Sequence, residues 1–306
     1  MWEFKRFVAL DSFRRAWMHS HAQLPTPMVI DGQTVRVFFA SRDKRQYSSI
    51  GFVDLRLEGD SVAVARTSEH PVMSPGPLGY FDEHGVFPSC IVRNGDRWLM
   101  YFIGWNKGFE SPMFYASIGV ASSQDGEVFQ RLSDAPLLSR SSCDPCLVTS
   151  PNVIQHNGRW LMTYVSGIGW FRDGDGRLLS RYHIKLAEGS SPLDWERKGH
   201  IAIDLRDGET NTARSSVMEV RKGVLGMWFS YVHTTIGRYR IGYAESKDGL
   251  HWHREDAASG INGLPDFGNE MLCYPAVFEL GGQRWMLVNG NGFGAHGFGV
   301  ARWKND

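Results

Sequence analysis

The chain alternates short apolar runs with polar turns, and that alternation itself repeats over a longer distance. The segment Phe81–Trp98 shows the unit. A polar loop ends at His84, Pro88 opens a short apolar strand, Asn94-Gly95 makes a turn, and Trp98 enters a second strand. The spacing of a proline seven residues ahead of a glycine recurs at Pro25/Gly32, Pro88/Gly95, Pro151/Gly158 and Pro275/Gly282, and Ser216 takes the proline's place ahead of Gly223. Successive glycines of this set lie 63, 63, 65 and 59 residues apart. Five repeats of about sixty residues therefore account for the chain, and such a period points to a repeat architecture.

Within the first repeat the runs Pro25–Ile30, Val35–Phe39, Ser48–Leu55 and Ser61–Ala65 are rich in β-branched and aromatic residues and are bounded by Gly, Asp or Asn. That pattern predicts a four-stranded antiparallel meander. The third strand is the clearest copy elsewhere, in Ser117–Gly126 and Arg240–Gly249, with Tyr182–Ser191 and Gly297–Ala301 as weaker versions. Two of these end in Ser-x-Asp-Gly followed three residues on by an aromatic, Phe129 or Trp252, and Trp195 holds the like place in the third repeat. Asp-Gly suits a tight turn with positive φ. The motif resembles a sialidase Asp-box but lacks one residue between Asp and Gly, and its expected role is structural.

Five such meanders predict an all-β fold: a five-bladed β-propeller of four-stranded antiparallel blades, forming one domain over residues 1–306. The blades are expected at approximately 19–67, 82–138, 144–204, 209–256 and 269–304. The last repeat has only two strands after Gly282, Trp285–Val288 and Phe298–Trp303, so the N-terminal run 4–10 is expected to supply its outer strand and cover the edge. Ser12–Met18 is the best candidate for a short helix.

Lys+Arg and Asp+Glu balance at 33 each, so the chain as a whole has no field to gather nucleic acid or an anionic membrane, and neither partner is expected. The N-terminal residues lack the plan of a secretory signal, and no apolar run approaches the roughly eighteen residues of a membrane helix. A cytoplasmic location is expected. Of the four cysteines, Cys90 and Cys273 fall in apolar strands, while Cys143-Asp-Pro-Cys146 has CxxC spacing without a second pair. No cofactor is called for. His19, His21, His84 and a carboxylate could hold a metal, but no spacing demands one, and none is assigned.

In a propeller the loops leading into each first strand, and those joining second to third strands, open on one face. The register thus yields candidate site residues: His21, Gln23, Arg42, Asp43, Asp82, His84, Trp105, Ser150, Trp170, Glu209, Arg214, His233, Glu270, Tyr274, Asn289, Asn291 and His296. Aromatic faces with planar polar groups are the mixture a sugar site uses. Asp82-Glu-His84 has no counterpart in the other repeats and reads as the segment that folding does not explain.

The five-fold register and the Ile-Gly-x-Ala-x-Ser-x-Asp-Gly strand resemble the five-bladed propeller glycosidases: arabinanases, xylosidases, invertases and levansucrases. Phe81-Asp-x-His-Gly-Val-x-Pro-Ser, Gly104-Trp-Asn106 and Asn289-Gly-Asn291 resemble, more closely, uncharacterised relatives encoded with surface-polysaccharide genes. The likeness covers the whole chain. Those glycosidases place Asp before the Pro of the first and third inner strands and Glu two residues before the landmark of the fourth. The matching positions here are Leu24, Ser150 and Arg214. Hydrolysis of a glycoside needs one group to protonate the leaving oxygen and another to activate water or attack carbon, so that triad does not transfer.

The expectation is therefore a carbohydrate-active enzyme acting on a glycoside or an activated sugar through a non-standard acid/base set. Asp82, His84 and Glu209 are its candidate catalytic groups, and the rest of the set is expected to bind a small-molecule or oligosaccharide substrate. The alternatives are a lyase, cyclase or group-transfer enzyme on the same scaffold, and a carbohydrate-binding propeller without turnover.

Overall fold

The structure, a computed structural model, describes residues 1–304 and is all-β. Strand β1 (Trp2–Ala9) is followed by a first antiparallel meander, β2 (Ser20–Val29), β3 (Thr34–Arg42), β4 (Ser48–Glu58) and β5 (Ser61–Thr67). The second comprises β6 (Gly85–Asn94), β7 (Arg97–Lys107), β8 (Phe114–Ser123) and the two-residue β9 (Gln130–Arg131). The third has β10 (Val148–His156), the long pair β11 (Arg159–Arg172) and β12 (Leu178–Ser191), then β13 (Asp194–Glu196) and β14 (Ile201–Ile203), both against β12. The fourth is β15 (Glu209–Arg221), β16 (Val224–His233), β17 (Tyr239–Ser246) and β18 (His253–Arg254). In the fifth, β19 (Cys273–Leu280), β20 (Gln283–Asn289) and β21 (Gly297–Trp303) are completed by β1, which pairs with β21 from Trp2↔Trp303 to Ala9↔Gly297. The N-terminal run thus supplies the missing strand.

Packing explains why these strands read as continuous apolar runs. Along β3, Val35, Val37 and Phe39 enter a core shared with Phe278, Leu287 and Val300 of the fifth meander, while Phe38 enters one shared with Val86, Met100 and Phe102 of the second. Alternate residues face opposite ways in a strand, so a strand buried on both sides has no polar phase. Three further clusters lie between second and third, third and fourth, and fourth and fifth meanders. The first strands contact one another in the order β2, β6, β10, β15, β19 and back to β2.

The Ser-x-Asp-Gly segments are turns with a defined job. Asp125 Oδ1 accepts from the backbone N–H of Glu127 and Val128, and Ser123 Oγ accepts from Gly126 N at 2.9 Å. Asp248 and Ser246 repeat the arrangement with Leu250, His251 and Gly249. Gly126 has φ +70, and its carbonyl accepts from buried Arg36 of the first meander at 3.0 Å. The turn therefore ties neighbouring meanders, in line with a structural role. Ser12–Met18 is not a helix. The local helical piece is one 3₁₀ turn at Leu10–Ser12, because Phe13 and Met18 both enter the core around Phe39, and residues five apart would stand on different faces of an α-helix.

Candidate functional site

Each first strand carries a register break at the same place: Gln23/Thr26 in β2, Pro88/Cys90 in β6, Thr149/Asn152 in β10, Ala213/Ser216 in β15 and Cys273/Ala276 in β19. A bulge re-aims one side chain out of the ladder. Four residues at these breaks hold positive φ without being glycine: Leu24 (55°), Ser150 (50°), Arg214 (26°) and Tyr274 (58°). Such conformations cost about 1–3 kcal/mol each and cluster where structure serves function. The fold spends strain at the positions where the sequence register placed a site.

An apolar cluster joins these breaks. Leu24 packs with Phe87, Trp105, Phe114, Trp170 and Tyr274, and the five aromatics are only partly buried. Trp105 Nε1 donates to Ser48 Oγ at 2.9 Å, and Trp170 meets Phe114 edge-on at 5.6 Å. Phe87 stands immediately before Pro88, in register with Leu24, Ser150 and Tyr274. In the sequence Phe87 is indistinguishable from the apolar residues of the strand that follows it.

Beside the aromatics lies a cationic cluster. Arg42 Nη2 donates to Gln23 Oε1 at 3.1 Å, and its Nε is buried without a partner. Arg214 is fully buried. Its Nη2 donates to Pro25 O at 3.0 Å and Thr26 Oγ1 at 2.9 Å, and its Nη1 has no partner. Among the described residues neither guanidinium meets a carboxylate. Burial pulls Arg214 down to about 10, which leaves it charged at neutral pH, and burial lowers Arg42 as well. Both act electrostatically on Tyr274, whose phenol burial raises well above the ordinary value. His21, at φ 71°, is lowered to about 4 by burial and then by the nearby Arg42 and His296, so its ring is neutral at pH 7.

The carboxylates expected to do chemistry are engaged elsewhere. Asp82 is completely buried and accepts from Arg131 Nε at 2.8 Å and Nη2 at 2.7 Å. A Cβ on Gly76 would stand 2.0 Å from Asp82 Oδ1, so that loop closes over the pair only with glycine there. Glu209 is gripped by Arg254 through Nη1 at 2.8 Å and Nη2 at 2.6 Å. Asp144, ahead of β10, is held by Arg197 at 2.9 Å and Tyr164 at 3.2 Å. Three consecutive meanders therefore clasp a carboxylate at or ahead of the start of the first strand with an arginine at or beside the outermost strand. Asp82 thus has structural counterparts in Asp144 and Glu209. Both oxygens of Glu209 are engaged by Arg254, whereas Asp82 gives only Oδ2 to Arg131 and its Oδ1 is buried without a partner.

Other candidates divide in the same way. His84 is half-buried between Tyr47 and Trp105, with Nδ1 3.3 Å from Glu83 and 3.5 Å from Asn106 Oδ1, so it borders the aromatic floor. Asp43 caps its own turn through the N–H groups of Arg45 and Tyr47. Asn289 is a buried strut: it accepts from Leu24 N at 2.8 Å and donates to Ala22 O and Gly297 O. Asn291 accepts from Glu270 N and Met271 N, and His233 bonds Thr235, so both shape loops. Glu270 is exposed, 3.9 Å from Arg238. Among the described residues no three His, Cys, Asp or Glu side chains converge as a metal site would require, so His19, His21 and His84 are not brought together. A surface cavity of about 600 Å³ lies along β5 between Arg15 and Glu127 and contains none of the bulge residues.

Strained first strands thus converge on aromatics and arginines, on a propeller-like fold that solved glycoside hydrolases share. The endo-arabinase of Bacteroides thetaiotaomicron VPI-5482 superposes with a TM-score of 0.65 at 12% identity, covering 99% of this chain and 98% of that one. No protein-family model matches. The chain belongs to the family of the uncharacterized protein Rv1502 of Mycobacterium tuberculosis (strain ATCC 25618 / H37Rv), to which it is 38% identical over 94% of each chain. It is also 26% identical to the 1,2-beta-oligomannan phosphorylase of Thermoanaerobacter sp. (strain X514), over 46% of each. Among the described residues no helix is long and apolar enough to cross a membrane.

Proposed function

We propose that the five meanders are the blades of a five-bladed propeller, and that its central funnel takes a sugar bearing an anionic group, foremost a phosphate. The observation that carries this reading is the pair Arg42 and Arg214, neither with a counter-charge among the described residues and each with one buried nitrogen lacking a partner. A buried cation without an anion is costly, and an orphaned buried N–H asks for a ligand or ordered water. A phosphate oxygen supplies both acceptor and charge. Arg214 stands where the resembling glycosidases carry a carboxylate, so the exchange turns an acid/base position into an anion-attracting one. A phosphorylase, by its name, brings phosphate to its site, and the distant likeness to such an enzyme supports the same chemistry.

In this reading Phe87, Trp105, Trp170 and Tyr274 form the apolar platforms for the sugar, and Gln23 holds Arg42 in place. Ser150 and His296 offer hydrogen bonds. His21, neutral at pH 7, and His84 are the groups able to move a proton, in place of Asp82 and Glu209. A second reading, binding without turnover, is favoured by the engagement of all three carboxylates in ion pairs.

Titration calorimetry against neutral oligosaccharides, sugar 1-phosphates and nucleotide sugars, with product analysis in parallel, tests the proposal. Phosphate-bearing sugars should bind, and Arg42→Gln should weaken them roughly tenfold, the value of one charge-assisted contact. Tight binding of neutral sugars that Arg42→Gln leaves unchanged would overturn it. Binding without products selects the second reading.

A further inference from the structure

The geometry points to an anionic lipid surface as the partner of the rim formed by the first three meanders. Two loops at the end of the molecule where the first strands begin each hold one large apolar side chain almost wholly in water: Leu78 is 92% exposed and Phe109 is 97% exposed. Single exposed apolar residues are ordinary, but these two are held out by ordered turns. Tyr80 N donates to Pro77 O across Leu78, with Gly79 at φ +86. The loop of Phe109 is closed by Gly108 N to Met113 O at 2.8 Å and Met113 N to Glu110 O at 2.7 Å. The two loops are tied to each other through Asn106 Nδ2, which donates to Tyr80 O.

Around them stand cations that nothing neutralises. Lys44, Lys107, Arg140 and Arg181 are exposed, and among the described residues none has a carboxylate within ion-pair distance. Lys107 lies over Tyr47 of the neighbouring meander, and Arg140 ahead of the third meander lies over Tyr115 of the second, so the arc is continuous. The carboxylates of the same loops are already engaged, Asp43 with Arg45, Glu110 with Arg172, Asp173 with Arg177 and Glu83 with the Gly79 N–H. These four cations are therefore in local excess despite the whole-chain balance of 33 and 33. Apolar tips that enter the headgroup layer, flanked by cations that meet its charge, are the elements of interfacial binding. A second copy fits the arc poorly, because a two-fold contact sets a patch against itself and would face these cations with each other.

The test uses the full chain with vesicles of phosphatidylcholine alone and of phosphatidylcholine with phosphatidylglycerol. Sedimentation with the anionic vesicles, weakened by salt and absent from the neutral ones, is expected. Leu78→Ser with Phe109→Ser should lower the partition coefficient roughly tenfold or more, and each of Lys44→Gln and Lys107→Gln about fivefold. Phe109→Trp should add emission that moves to the blue on anionic vesicles relative to the parent, which reports insertion even where the serine variants fold poorly. No sedimentation with anionic vesicles overturns the proposal, as does unshifted emission from the Phe109→Trp variant. A dimer that dissolves in the double serine variant, with no vesicle binding, also overturns it and assigns the tips to a second copy. None of these readouts involves sugar binding, so they fail or succeed apart from the funnel.

Discussion

Arg254 grips Glu209 with both terminal nitrogens, at 2.8 and 2.6 Å, in an end-on pair of which both members are almost fully buried. Burial works against the arginine's charge, yet the carboxylates of Glu209 and Asp256 raise its affinity for the proton. Removing one partner of a buried pair leaves the other's charge stranded, at about 3–5 kcal/mol. Arg254→Met should cost that much in urea unfolding and Glu209→Gln less, because Asp256 still pairs with Arg254. Glu209→Met with Arg254→Met should recover much of the loss, Asp256 keeping Arg206 as its partner. A Glu209→Gln protein as stable as the parent but altered only in ligand turnover would restore Glu209 to the catalytic set.

His21 predicts a pH dependence of stability. Its ring is held at about 4 in the fold against about 6.5 when unfolded, so the unfolded chain binds more protons between those values. The stabilisation is therefore complete above about pH 6.5 and is lost as pH falls through about 4, and it amounts to at most about 3 kcal/mol. Because acidic groups titrate over part of the same window, the informative quantity is the difference between the parent and His21→Gln. That difference should slope with pH from about 4 to 6.5 and be flat above. A flat difference throughout would show that the ring is not buried as described.

The repeat register was legible because it rests on local chemistry. A proline, an apolar run and a glycine turn recur at nearly constant spacing, and strands buried on both sides leave unbroken apolar runs. Ser150, Arg214 and Tyr274 followed from that register, whereas the bulge that re-aims them leaves no mark in it. The partner of Asp82 was not legible, because Arg131 is 49 residues away, on a strand two residues long that carries no periodic signal. The partners of Asn289 were hidden for a related reason: they are the backbones of Ala22, Leu24 and Gly297, and no side chain in the sequence announces them. Polar residues that serve the backbone look, in a sequence, like polar residues that serve a ligand.

Ser150 offers a test of the strained bulges. With φ at 50°, it occupies a conformation that glycine adopts freely and that β-branched side chains resist. Ser150→Gly exchanges relief of strain for a more flexible unfolded chain and should change stability by no more than about 0.5–1 kcal/mol. Ser150→Val should cost about 2 kcal/mol or more in chemical denaturation. Equal effects of the two substitutions would mean that the bulge does not hold its residue in the left-handed region.

Trp2 should decide whether the N-terminal strand is needed for the fold. Its ring meets Trp228 at 5.6 Å and Trp303 at 5.1 Å, both edge-on, and its Nε1 donates to Ser259 O at 3.0 Å. It therefore joins the first residues of the chain to the fourth meander and to the last strand at once. Trp2→Ala removes that packing and leaves a cavity, at about 3–5 kcal/mol, a large share of the stability of an ordinary domain. Deleting residues 1–9 goes further, because it also strips the hydrogen-bonding partner from β21 and exposes an apolar edge. The truncated chain should aggregate, whereas Trp2→Phe should remain folded with a melting temperature a few degrees lower. A truncated chain that stays monomeric and melts with the parent would show that β21 does not depend on β1, and that the fifth meander is stable with three strands.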